Sequence, residues 1–177
     1  MKKVLLTSLL TLSAHQALAN EQPAETKTAA NQVPAGLYVG AGLSYNDLDF
    51  GSIIDGANDE TAMGLQAFVG LPIANSIVGF DTFAEIGFFR TRDFDFGGGN
   101  KEKVTGVSGS VVLQKDLNEI DPNLYGLARI GLELGDDDGI FMGVGAGYRI
   151  TPKVEIRAEF VNKDLISSYQ ANALIRF

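Results

Sequence analysis

Glu155, Arg157 and Glu159 stand at every second position of one short stretch, VEIRAEF. Two carboxylates at that spacing are the residue types of general acid–base chemistry. The arginine between them offers a different chemistry, in which each acid is held as an ion-pair partner. The same pattern returns elsewhere: Glu85 alone, Arg129 with Glu133, then Arg149 and Arg176. Four acids meet four bases, so the set is neutral. The chain has no cysteine, and its one histidine, His15, lies in the leader described below. The common nucleophile–base pairs are therefore missing, and no catalytic residue is assigned. Ion pairing is the reading that fits a neutral set best, with Glu85 and Arg129, both near mid-strand, as its central pair. A gate whose pairs exchange to pass ions is the sharper alternative. A selective pore would more often carry an excess of one sign.

These charges sit on elements with a period of two. Residues 140–150, IFMGVGAGYRI, place Ile140, Met142, Val144, Ala146, Tyr148 and Ile150 on one face. Phe141, three glycines and Arg149 fall on the other. No helical period fits. Seven further blocks alternate likewise, at about 36–47, 61–71, 78–90, 104–115, 124–135, 153–161 and 168–177. Connections after odd strands are polar or acidic, at 48–60, 91–103, 136–139 and 161–168. Those after even strands contain Pro72, Pro122 and Pro152, which mark turns. The expected fold is all-β, an eight-stranded antiparallel up-and-down barrel with both termini at one end.

Alternation alone does not say which face is inside. Three features favour a barrel embedded in a bilayer. The polar face mixes glycine with long charged side chains, which suits a crowded lumen better than a solvent face. Aromatic residues gather at strand ends on the apolar face: Tyr45, Phe88, Phe160 and Tyr169 at the loop end, Phe80, Tyr148 and Phe177 at the turn end. Two such girdles match the two bilayer interfaces. A closed barrel also leaves no backbone group unpaired in lipid.

The flanks agree. Met1–Lys2–Lys3, an apolar run from Val4 to Leu12 and the small-residue site Ala17–Leu18–Ala19 read as a signal peptide over 1–19. Residues 20–34 read as a flexible periplasmic lead-in, and 35–177 as the barrel domain. Without Lys2 and Lys3, 12 of the 14 basic residues remain against 22 acidic ones, a net charge near −10. That balance argues against nucleic acid. The loops hold much of the excess. Asp136–Asp137–Asp138–Gly139 lacks the spacing of an EF-hand and reads as a solvated loop, so no metal and no cofactor are expected. Arg90, Arg92, Lys101 and Lys103 flank the second loop, where phosphates of lipopolysaccharide would meet them, or where they form an ordinary polar rim. Phe94 and Phe96 on the same loop are expected to be exposed, as a contact point for a host or phage surface ligand.

The stretch GAGYRITPKVEIRAEF, residues 145–160, resembles the Gly-x-Gly-Tyr strand, tight turn and Arg-x-Glu-aromatic strand of small Gram-negative outer-membrane β-barrel proteins. That group includes the barrel domain of outer-membrane protein A and outer-membrane protein X. The ending Tyr169…Ile175–Arg176–Phe177 is similar to the signal that the barrel assembly machinery recognises in that family. The resemblance covers about residues 35–177. It departs from outer-membrane protein A in ending at the barrel, and it lacks Trp. It implies an outer-membrane monomer in contact with lipid and lipopolysaccharide. Enzymes on similar barrels rely on a catalytic histidine, which the mature chain would lack. The expected role is non-enzymatic, in envelope integrity or loop-mediated adhesion. The alternatives are a narrow channel and, from another class, a secreted soluble barrel binding a small apolar ligand.

Overall fold

The computed structural model describes residues 34–48, 60–95, 101–163 and 166–177. The expected leader and most of the expected lead-in, the acidic loop at 49–59, Phe96 with residues 97–100, and residues 164–165 lie outside the described residues.

Among the described residues there are ten strands, the eight long ones built by alternating apolar residues: β1 Tyr38–Leu48, β2 Glu60–Ile77, β3 Phe80–Thr91, β4 Phe94–Asp95, β5 Lys101–Glu102, β6 Thr105–Asp116, β7 Leu124–Gly135, β8 Gly139–Thr151, β9 Val154–Asn162 and β10 Ile166–Arg176. Eight of them close an antiparallel barrel in the order β1-β10-β9-β8-β7-β6-β3-β2. The closing seam runs from Tyr38↔Arg176 to Leu48↔Ile166. It continues past the strand ends, where Phe177 N–H donates to the Leu37 carbonyl at 2.8 Å and Gly36 N–H to the Phe177 carbonyl at 3.0 Å. β4 and β5 form a two-stranded hairpin within the connection between β3 and β6.

The apolar face points outward. Ile86 is 72% exposed and Leu65 64%, while Glu155 and Arg157 keep 1% and 2%. A water-soluble barrel would reverse this, so the soluble-carrier alternative is overturned. Lumen-facing aromatic rings lie opposite lumen-facing glycines. Tyr38 pairs with Gly70, Phe68 with Gly40 and Gly87, and Tyr125 with Gly147. A methyl group at Gly70 or Gly147 would run into the Tyr38 or Tyr125 ring. Glycine on the polar face was expected to suit a lumen crowded by long charged side chains, and Gly143 and Gly145 do face Arg129 and Glu159. The larger share of the room beside the lumen glycines goes to aromatic rings.

Two expectations need correction. Pro72 lies inside β2, not in a turn, and pairs with Phe83. β1 reaches only as far as Gly70, so β2 runs on with a free edge where a residue lacking an N–H is tolerated. The turn falls instead at Val78–Gly79, where Gly79 takes φ +83°. Phe94 is not exposed. It is fully buried against Leu48, Ala62 and Ile166, with Val104 packed beside them. The hairpin carries this ring onto the loop-end rim, so Phe94 is removed from any surface contact point.

Candidate functional site

Odd positions of β3, β7 and β9 and even positions of β1 and β10 converge in the lumen, where they form three layers. The middle layer is an ion-pair quartet. Glu85 on β3 pairs with Arg129 Nη2 on β7 and, at 2.7 Å, with Arg157 Nη1 on β9. Glu159 on β9 lies 2.8 Å from Arg129 Nε and 2.7 Å from Arg157 Nε. Two carboxylates and two guanidiniums thus alternate around a ring. The contacts to Glu159 are close ion pairs rather than aligned hydrogen bonds. The Tyr38 hydroxyl donates to Glu85, and Asn172 Nδ2 to Glu159 Oε1 at 3.4 Å. The Arg157 guanidinium also lies 4.6 Å from the Phe68 ring centre. Buried charges are tolerated where each meets an opposite charge, and every member of this ring does, with Arg157 Nη2 left without a hydrogen-bond partner.

The turn-side layer is mostly apolar. Tyr38, Phe83, Val112, Tyr125, Leu127 and Leu174 are buried together with Phe68. Glu155 enters this layer held by the Tyr125 hydroxyl and Arg176 Nε, each at 2.8 Å. The Arg176 guanidinium lies 5.2 Å from both the Tyr38 and Phe83 ring centres, two cation–π contacts that keep it in an aromatic setting. Arg149 faces Glu155 across the β8/β9 pair, at the edge of the network. It sits at the turn-side mouth, pairs with Asp116 at 2.8 Å and covers the Tyr125 ring.

The loop-side layer is polar. Glu133 receives Lys163 Nζ at 2.6 Å, and that ammonium lies 3.6 Å from the Phe89 ring centre. Gln66 Nε2 donates to Gln170 Oε1 at 2.9 Å and Asn172 Oδ1 at 2.6 Å, and Ser168 Oγ donates to Asn46 Oδ1 at 2.9 Å. Between these groups lies a cavity of about 40 Å³, lined in part by Ser44, Gln66, Glu133 and Lys163. That is room for about two waters.

Lys163, Tyr38 and Tyr125 were missed as partners. Both tyrosines lie on the face that carries the charges, and the alternation alone places them inside. Lys163 follows the last residue of β9, where the period of two has ended and gives no direction.

The aromatic residues of the strand ends point outward. Tyr45 pairs with Tyr169, and Tyr169 with Phe160, whose rings are 5.1 Å apart. Phe88 lies on the same outer wall, and Phe80, Tyr148 and Phe177 are partly exposed towards the turn end. Tyr169, Ile175 and Phe177 line the outer face of the last strand. In the connection at 136–139, Asp136 Oδ2 accepts from Thr105 N–H at 2.9 Å. Among the described residues no cluster of His, Cys, Asp and Glu is arranged to hold a metal ion.

A family model described as the outer membrane protein beta-barrel domain matches residues 4–174. The crystal structure of Neisserial surface protein A aligns with a TM-score of 0.59 at 16% identity, covering 82% of this chain and 100% of that one. A de novo designed transmembrane β-barrel aligns with a TM-score of 0.50 at 18% identity, covering 82% and 98%. No curated protein matches the chain. At these identities the two structures speak for the fold alone. The family match spans nearly the whole chain and agrees with an outward apolar face around a charged lumen: the chain belongs to the outer-membrane β-barrel family.

Proposed function

We propose that this barrel is a sealed, non-enzymatic scaffold of the outer membrane, with a role in envelope integrity and loop-mediated surface contact. The observation that carries the reading is the Glu85–Arg129–Glu159–Arg157 ring above the aromatic layer. A neutral, buried plug suits a scaffold better than a selective pore. The absence of cysteine, and of histidine beyond His15, supports a non-catalytic role. The lumen carboxylates further support it, since each has a cationic partner.

The start of β1 and the end of β10 lie together at the end of the barrel that carries the short turns. In the proposed orientation that end faces the periplasm and the long connections face outward. A signal peptide over 1–19 would deliver the chain there, and Tyr169, Ile175 and Phe177 would serve as the signal to the assembly machinery. The outward aromatic residues would form the two interface girdles of a monomer.

Single-channel recording of the refolded protein in a planar bilayer tests the seal, with folding established by shifted migration on an unheated gel. The expected result is a quiet bilayer. Discrete, reproducible steps from folded protein would replace the scaffold with a narrow channel.

A further inference from the structure

We infer that the outer wall carries a binding site for a phosphorylated glycolipid of the lipid A type, at the loop end where β2 and β3 meet. Arg90 belongs to the outward face of β3, following Ile86 and Phe88, and pairs across the sheet with Leu65. Arg92 N–H donates to the Met63 carbonyl at 2.6 Å, which holds Arg92 at the end of the same seam. Lys103 joins them from the far side of the β4–β5 hairpin. These three cations and Leu43, Met63 and Leu65 line one open groove of about 550 Å³ on the outer wall.

The charge pattern sets this groove apart from the lumen. Every cation in the lumen has a carboxylate partner. Among the described residues, Arg90 and Arg92 have none within 4.0 Å, and Lys103 reaches only Asp93, at 3.4 Å between two exposed side chains. Among the described residues, no acidic one lines the groove. An outward-facing arginine beside leucine and methionine in a bilayer wall is costly unless its guanidinium reaches an anion at the interface. Guanidinium groups match phosphate oxygens in a two-pronged geometry. Acyl chains would lie on Leu43, Met63 and Leu65, with phosphates against Arg90 and Arg92. Two guanidiniums and an ammonium around one groove suit a headgroup bearing two phosphates better than a single phosphodiester. The assignment to an outer-leaflet glycolipid rests on the loop-outward orientation proposed above.

The test is native mass spectrometry of the folded protein released from micelles doped with diphosphorylated lipid A, with dephosphorylated lipid A, or with phosphatidylglycerol. The natural chain should retain the diphosphorylated lipid. The R90Q/R92Q variant should retain it at least about tenfold more weakly, the weight of one charge-assisted hydrogen bond. Removing the phosphates from the lipid should weaken binding to the natural chain alike and leave the variant unchanged. Undiminished retention by the variant, or equal retention of the dephosphorylated lipid by the natural chain, overturns the site. Equal retention of phosphatidylglycerol overturns the glycolipid assignment. Retention in micelles does not depend on orientation, which protease accessibility of the loops on intact cells reads separately. Failure of the site and failure of the orientation are therefore distinguishable.

Discussion

Arg129 touches both carboxylates of the central ring, and its side chain is 9% exposed. Its removal leaves Glu85 and Glu159 with Arg157 alone, so a buried negative charge loses compensation. Arg129→Ala should lower stability by roughly 3–5 kcal/mol, the usual cost of breaking a buried pair from one side. Urea unfolding of the protein folded into lipid vesicles measures this, and an unchanged midpoint would remove Arg129 from the plug. The period of two was enough to put Glu85 and Arg129 on one face, because alternation fixes side. It does not fix height or tilt, so it could not send Arg149 to Asp116 or bring Lys163 in over Glu133.

At the scale of strands, each pairing of a ring with a glycine makes a steric claim. Tyr38 occupies the space that a side chain at Gly70 would need. Gly70→Ala should destabilise the barrel by about 1–3 kcal/mol through overpacking. In a Tyr38→Ala background the same change should cost little, so a double-mutant cycle should show strong coupling. Equal penalties in both backgrounds would deny the contact. All eight barrel strands were legible from alternation and turn residues, with ends displaced by a few residues. The largest displacement was at Pro72, where proline in an unpaired edge mimics proline in a turn. Phe94 was illegible for another reason. Its burial depends on a short hairpin folding back over Leu48, Ala62 and Ile166, distant in sequence and outside any local period.

For the molecule as a whole, the outward apolar wall is what makes lipid its solvent. Val144, near the middle of β8 and 59% exposed, should lie in the hydrocarbon region. Val144→Arg should therefore cost about 2–4 kcal/mol, read as a lowered denaturant midpoint in vesicles. A neutral effect would mean that this wall does not face acyl chains. The ring–glycine matches also have a consequence for the size of the barrel. They recur on the β1/β2, β2/β3 and β7/β8 seams. A two-residue slip between β1 and β2 would set Tyr38 against Phe68, crowding two rings together and leaving Gly70 facing a void. Such a slip keeps every apolar residue outward, so the lipid cannot reject it; the rings can. Because strand number and stagger together set the width of a closed barrel, these aromatic residues act as a gauge that holds the bore at one diameter.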